Sequence, residues 1–297
     1  MDNKVFEKLD KLVREGKISL RERNELEEAM AFKKGELETK LGTPKKVECS
    51  YTGSIDMEIT GDDSIQEVII DEGNDIIETT LEGDTLKISN KSFRKIFFNY
   101  FESQQCVKIR LPRNTPSVEI KLVSGDLSAK NLQSNFSVSI VSGDVRISDL
   151  TGKLNVNALS GDISIDKFNG ELEVVTKSGD IKLENSKIKG QLKTYSGDIV
   201  TRSVDFEGFK ISTFSGDLEL ESASFQGNGE ISTYFGDIHV NGNLSNVYVK
   251  ADTLHGNIDI RGTKPYNESL NKGENVNEII AKTKSGDICV KDTSKGG

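Results

Sequence analysis

From Val118 onward, apolar and polar residues alternate in short runs that meet at a repeated Ser-Gly-Asp. Counted back from each Asp, positions −8, −6 and −4 hold Val118, Ile120 and Leu122, then Phe136, Val138 and Ile140, then Leu154, Val156 and Ala158, then Leu172, Val174 and Thr176. Counted forward, positions +1 and +3 hold pairs such as Val145 and Ile147, Ile163 and Ile165, Ile181 and Leu183, Ile238 and Val240, and Ile288 and Val290. Ser, Lys, Asn, Glu and Arg stand between them. A period of two predicts that each unit is two short strands with one buried face, bent at the Gly. No unit carries an apolar stripe of period 3.6, and β-branched residues dominate the inward positions, which excludes helical repeats.

The bend itself recurs as Gly125-Asp126, Gly143-Asp144, Gly161-Asp162, Gly179-Asp180, Gly197-Asp198, Gly216-Asp217, Gly236-Asp237, Gly256-Asn257 and Gly286-Asp287. Successive intervals are 18, 18, 18, 18, 19, 20, 20 and 30 residues. So short a period is too small for a four-stranded propeller blade, which needs roughly 40 residues. The expected fold is mostly β: a single-stranded β-solenoid, a right-handed parallel β-helix of coils of about 18 to 20 residues, rising ~4.8 Å per coil to ~43 Å over the marked units. In each corner Gly supplies positive φ and Asp accepts backbone N–H hydrogen bonds. One coil buries too little to offset its own ordering entropy, so the units must stack.

The N-terminal third reads differently. Val5, Phe6, Leu9, Leu12 and Val13 fall at helical spacing before Gly16, and Ser19-Leu20-Arg21-Glu22 forms a capping box that opens a second helix running to Gly35. Residues 1–40 are therefore expected to be a helical hairpin with one apolar face, an interaction module or a cap on the solenoid. Residues 41–46 form a linker, and a β-solenoid is expected over residues 47–292, its first coils irregular, with Gly61-Asp62 and Gly83-Asp84 as degenerate corners. Residues 92–105 interrupt the pattern with Phe93, Phe97, Phe98, Tyr100 and Phe101; this insertion is expected to cover an early coil or to meet a partner. Residues 263–278 are a polar insertion, and the coil from Ile279 to Val290 is expected to close the rod.

Two resemblances follow from these residues. The run from Leu9 to Ser19 with the Glu-rich segment after it resembles the SHOCT-like helical hairpins of bacterial proteins, which implies protein interaction or oligomerisation. The strand ending in Leu111-Pro112, followed by serial Ser-Gly-Asp corners, resembles the bacterial adhesin-type or Toastrack β-solenoid family over residues 47–292. Members with a helical N-terminal segment are associated with Lia-type and phage-shock-type envelope-stress systems, so the resemblance implies a fold and a context more than a chemistry.

Composition narrows the function. A net charge of −9 offers no basic face for nucleic acid. Cys49, Cys106 and Cys289 have neither metal-type spacing nor an even count, and reduced thiols are expected. With no apolar run of signal-peptide or membrane-spanning length, the chain is expected in the cytoplasm, or peripherally at the inner membrane surface.

Among candidate sites, the Asp column is expected to cap turns, with cation binding as the alternative; the calcium-binding nonapeptide roll needs half this period. Tyr195, Phe214 and Tyr234 share position −3 in consecutive coils, with Leu254 next, and are expected to form a stabilising ladder or a binding strip. His239 and His255 stand on different coils, and no nucleophile triad, metal cluster or phosphate loop is evident. No cofactor and no catalytic residue are expected.

The resulting expectation is a non-enzymatic scaffold or regulatory protein that binds protein partners, among them membrane-associated stress sensors, and that can self-associate. A surface adhesin and a carbohydrate-active β-helix enzyme are the alternatives. Phe97, Phe98, Tyr100 and Phe101 join Tyr195, Phe214 and Tyr234 as expected partner-binding residues.

Overall fold

The computed structural model describes residues 39–73, 76–91, 105–262 and 277–294. The expected hairpin of residues 1–40 falls almost wholly outside the described residues, except that Thr39–Lys40 form a strand, β1. The aromatic insertion with Phe97, Phe98, Tyr100 and Phe101 also lies outside them, as does most of the 263–278 insertion. All regular structure among the described residues is β.

The centre of the stack is built from long strands: β9 (Leu127–Ser142), β10 (Val145–Ser160), β11 (Ile163–Ser178), β12 (Ile181–Ser196) and β13 (Ile199–Ser212). Each pairs in parallel with the next, like residue on like: Ile163 on Ile181 on Ile199, and Leu154 on Leu172. Residues at +1, +3, −8 and −6 of these coils are buried, Gly190 alone being half-buried, so the core is a set of largely aliphatic columns running along the rod.

The expectation of two short strands per coil needs correction. After position +4 the backbone takes one left-handed step, at Asn131, Asp149, Lys167, Asn185, Ser203 and Ser222, with φ between 48° and 58°. That kink turns the chain onto a further leg, which buries Leu132, Leu150, Phe168 and Val204 at position +6. No Gly marks this corner. Asn, Asp and Ser tolerate the conformation well, and it hides behind a varied sequence.

Both ends depart from sequential stacking. At the start of the chain, β2 (Lys46–Ser54) and β3 (Asp56–Asp62) form one coil, followed by β4 (Ile69–Glu72), β5 (Ile77–Glu82), β6 (Thr85–Asn90), β7 (Cys106–Pro112) and β8 (Ser117–Ser124). Strands β2 and β3 sit between β6 and β7 on one side and β8 and β9 on the other. The first coil of the chain is thus clamped inside the stack. Outside it, β5 pairs antiparallel with β6, β4 with β7, and β1 with β4, burying Ile69, Ile70, Ile76 and Ile77 under a cap.

The other end mirrors this. After β14 (Leu218–Phe225), β15 (Gly229–Ser232) and β16 (Ile238–Asn243) come β17 (Val247–His255), β18 (Ile258–Arg261), β19 (Asn277–Ser285) and β20 (Ile288–Asp292). Strand β19 pairs with β15 on one side and β17 on the other; β20 likewise lies between β16 and β18. The last coil in sequence therefore inserts beneath the one before it. Residues 277–292 do not close the rod as expected, and among the described residues β17–β18 is the outermost layer.

Gly61-Asp62 and Gly83-Asp84 are not degenerate corners of the Ser-Gly-Asp column. Gly61 packs against the left-handed kink at Asn131, and Gly83, with φ 60°, turns the β5–β6 hairpin. The true first corner is Ser54-Ile55-Asp56, which has Ile where the others have Gly and so leaves no Ser-Gly-Asp in the sequence.

Toward the C-terminal end Thr replaces the aliphatic residues of the −4 column. As that column passes from Leu122 and Ile140 to Thr194 and Thr213, the +8 column passes from Ser134 and Gly152 to Ile188, Phe206 and Phe225, and volume is exchanged between them. Phe206, Phe209 and Phe225 pack with centroids 4.5–5.4 Å apart.

One column carries a defect. Thr201 lies in register between Leu183 and Leu220, is fully buried, and its Oγ1 has no hydrogen-bond partner. Thr201→Val keeps the shape and removes the orphaned hydroxyl, so it should stabilise by ~1 kcal/mol, read as a rise in Tm of roughly 2 °C. A lower Tm would mean that Thr201 has a partner in solution.

Burial also sets the thiols. The Cys49 thiol is enclosed in the core and pushed up to about 12, and all three cysteines are free. Burial keeps the thiol protonated and out of reach, so thiol reagents should leave it unmodified in the folded chain and label it only on unfolding. Peptide mapping after labelling reads this directly.

Candidate interaction surface

The corners place two columns of functional interest side by side. In the first, each Asp carboxylate accepts the backbone N–H of the Asp in the next coil of the stack. Asp56 accepts from Asp126 at 2.9 Å, Asp126 from Asp144 at 2.9 Å, Asp144 from Asp162 at 3.1 Å and Asp162 from Asp180 at 2.9 Å. The series continues through Asp198, Asp217, Asp237 and Asp287 at 2.7–2.8 Å and ends with Asn257 on Asp287. The carboxylates thus staple coil to coil rather than closing their own turns, which disperses charge that would otherwise repel along the column.

Arg146 bridges Asp126 and Asp144 at 3.3 and 2.8 Å. Among the described residues no group of three or more His, Cys, Asp or Glu is arranged to hold a metal ion.

The Thr column serves the same corners from inside. Thr194 Oγ1 donates to the Gly179 carbonyl at 3.2 Å, Thr213 to Gly197 at 3.1 Å, Thr233 to Gly216 at 3.1 Å, Thr283 to Gly236 at 3.0 Å and Thr253 to Gly286 at 3.1 Å. Each hydroxyl satisfies a carbonyl of the adjoining coil. The later coils trade aliphatic burial for these bonds.

The second column is position −3, which faces outward just before each corner. It reads, in stack order, Val123, Val141, Leu159, Lys177, Tyr195, Phe214, Tyr234, Lys284, Leu254. All its apolar members are exposed, from 37% for Tyr234 to 66% for Leu254. Alternation turns −4 and −6 inward, so −3 has to point out, and like-on-like register aligns it into a strip along the rod.

Tyr195, Phe214 and Tyr234 stack at centroid spacings of 4.9 Å with planes within 11°. Phe235, at position −2, meets Phe214 and Tyr234 edge-on at 5.7 and 4.7 Å. Leu254 does not follow Tyr234 as the order of the chain implies. The inserted coil puts Lys284 there, with its Nζ 4.3 Å from the Tyr234 ring centroid and hydrogen-bonded to the Tyr234 hydroxyl.

Because the rings cover each other's faces, the strip offers ring edges. Flat stacking of sugars needs open faces, which Phe214, between two rings, and Tyr234, between Phe214 and Lys284, do not offer. Toward the N-terminal half the strip borders a shallow groove of about 460 Å³ lined by Tyr51, Val123, Val141, Asn157 and Leu159.

Several lysines flank the strip, although Asp252 holds the same −5 position in the outer coil and the Asp column runs beside it. Lys121 and Lys193 lie beside it at −5, with Lys282 in the inserted coil, and Lys177 and Lys284 within it. Among the described residues Lys177, Lys193 and Lys282 have no ion-pair partner. His239 and His255 stand on separate elements, β16 and the end of β17.

This parallel stack, with one corner column repeated along its length, matches a described family. Residues 48–291 match Toastrack DUF4097. The chain belongs to the Toastrack family. No curated protein matches it.

Three solved structures resemble this Toastrack chain. One is titled a "putative adhesin" from Bacteroides fragilis, 16% identical, covering 86% of this chain and 95% of the other at TM-score 0.42. Another is a "putative cell adhesion protein" from Clostridium sporogenes, 16% identical, covering 86% and 98% at TM-score 0.21. The third is a "putative lipid binding protein" from Parabacteroides distasonis, 19% identical, covering 87% and 96% at TM-score 0.30.

Proposed function

We propose that this Toastrack chain is a non-enzymatic scaffold that docks a protein partner along the −3 strip. The observation that carries this reading is the strip itself. Val123, Val141, Leu159, Tyr195, Phe214, Tyr234 and Leu254 are exposed along one line of a stack held by parallel ladders.

Exposed apolar side chains aligned in this way, in runs separated by Lys177 and Lys284, are costly to leave in water and mark interaction surfaces. Aromatic side chains on a rigid backbone give contact area at little entropy cost. The unpaired lysines beside them select for an acidic partner segment.

The test is a triple variant, Tyr195→Ser with Phe214→Ser and Tyr234→Ser. These side chains lie outside the buried columns, so β-type circular dichroism and cooperative melting should persist, with partner affinity lowered at least ~100-fold, as loss of a central aromatic cluster implies. Retained affinity would sink the docking reading. Binding of the wild type to anionic lipid vesicles, lost in the variant, would make the strip a membrane contact instead.

We further propose that the scaffold acts in a bacterial envelope-stress response, from the cytoplasm or the inner membrane surface. What supports this is the resemblance of its repeated corners and N-terminal sequence to chains of those systems. Protease added to intact cells should leave the protein uncut; cleavage from outside would favour the adhesin reading.

A further inference from the structure

Between β10 and β13 the outer face of the stack carries a groove. Positions −9 and −7 point outward there and stand as two walls, with the −8 backbone between them as floor. The groove holds about 400 Å³ and runs ~14 Å along the rod, three rises of ~4.8 Å. It lies within the stack rather than at an end, since β10 and β13 each pair on both sides.

A β-bulge opens it. Strand β12 has Lys189 alone between Ile188 and Gly190, whereas β13 has both Glu207 and Gly208 between their partners, Phe206 and Phe209. The extra residue falls in the interval of 19 residues before Asp217. At Gly152, Gly170 and Gly190 a Cβ would come within 2.4, 1.9 and 1.8 Å of a carbonyl oxygen of the adjoining coil. Gly208 differs: beyond its chain neighbours the nearest atom to a Cβ there is 3.8 Å away, so the coils part at this point.

Two polar groups in the groove are left unspent. Asn155 Oδ1 is enclosed and has no hydrogen-bond partner, which is costly for an acceptor. Lys189 has no ion pair among the described residues: Glu171 faces Lys153 at 3.6 Å, and Glu207, on the bulge, turns to Lys187 at 2.7 Å.

We propose that this groove, apart from the −3 strip, binds a neutral, hydroxyl-rich chain, an oligosaccharide laid along the rod. The walls interleave opposite charges. Lys153, Glu171 and Lys189 follow one another along −9, and Asn155, Glu173, Gln191 and Lys210 along −7. An anionic chain would meet Glu171 and Glu173, and a cationic one Lys153, Lys189 and Lys210. Hydroxyls both donate and accept, so one sugar ring serves carboxylate, ammonium and amide together.

In this arrangement one hydroxyl donates to Asn155 Oδ1 and another accepts from Lys189 Nζ. The last torsion of the Asn155 side chain is soft, so the amide can turn to present either end. Gly190 and Gly208 keep the floor flat for the C–H faces of the rings, over the buried Leu172 and Phe209. An extended peptide turns every second side chain toward the floor, which a flat floor does not receive.

Saturation-transfer NMR on the full-length chain tests this with cellotetraose, chitotetraose and maltotetraose, and with a neutral Ser-Gly decapeptide. At least one tetrasaccharide is expected to show transfer at about 1 mM. Titrations should then show Asn155→Ala and Lys189→Ala each raising its Kd at least ~10-fold, as loss of a hydrogen bond to the ligand implies. The triple Ser variant of the strip should bind the sugar as the wild type does, which keeps this site distinct from the docking surface. Both substituted side chains point away from the core, and melting checks that each variant is folded.

Transfer to none of the tetrasaccharides, transfer to the decapeptide instead, or wild-type affinity in either groove variant would overturn the proposal.

Discussion

Gly161→Ala should be nearly as damaging as Gly161→Val, each costing at least ~3 kcal/mol. Gly161 has φ 124°, outside the range of residues with a Cβ. Contact with the coil below matters more than this strain: a Cβ built there would sit 2.1 Å from the Gly143 carbonyl oxygen and 2.6 Å from its carbon. Both atoms are backbone, held by the ladder on either side, and cannot give way locally. The methyl group alone forces the coils apart.

Asp162→Asn at the next position should cost under ~1 kcal/mol, because an amide oxygen can still accept the Asp180 N–H. Denaturant melts of the three variants separate the effects. A mild Gly161→Ala would show that the corners are not in contact, and an Asp162→Asn as harmful as the Gly variants would show that the carboxylate charge itself is required.

Removing residues 277–297 should cost two layers. In a sequential solenoid, deleting the last coil uncovers the one before it and leaves that coil paired on its other side. Here β19 and β20 are the layer on which β17 and β18 rest. Without them residues 247–261 lose every ladder partner they have among the described strands, together with the buried columns through Ile279, Ala281, Ile288 and Val290. One short coil cannot offset its ordering entropy alone.

Hydrogen exchange on the truncated chain should therefore show amides of residues 247–261 exchanging at unfolded rates while β9 to β13 remain protected. Protection retained in 247–261 would mean that the outer coil can drop onto β15 and β16. The same topology predicts that the intact chain does not fray coil by coil from its C-terminus, since its last strands are held on both sides.

Much of this architecture is legible in the chain. Alternation at −8, −6, −4, +1 and +3 marks the buried columns, because a strand with one wet face leaves a period of two in the residues themselves. The Gly at each Ser-Gly-Asp corner is legible because a Cβ there would sit about 2 Å from the backbone of the adjoining coil.

The order of stacking is not. A repeat says that coils pair, but every coil carries the same corner, and nothing local distinguishes the neighbour above from the neighbour two further on. The 30-residue interval before Asp287 is the only sequence trace of the inserted coil, and it reads equally well as a simple loop. That is why Lys284, rather than Leu254, covers Tyr234.

The second corner is hidden for another reason. A single left-handed residue with a small or polar side chain costs little, so Asn131, Asp149, Lys167, Asn185, Ser203 and Ser222 share a conformation without sharing an identity. Asp56 escapes notice because its corner has Ile55 in place of Gly. The strip is legible only in part: the three rings stand out, while Val123, Val141 and Leu159 pass as ordinary strand residues until the register aligns them.

The claim that this face of the rod is the working surface is tested most directly by a photo-crosslinking residue placed in the living cell. One form of the protein carries it at Phe214, in the strip, and another at Thr151, likewise exposed but on a leg away from it. The account predicts a discrete crosslink to another protein from position 214, absent from position 151 and suppressed when Tyr195 and Tyr234 are Ser. Crosslinks of equal yield from both positions, or from 151 alone, would contradict it.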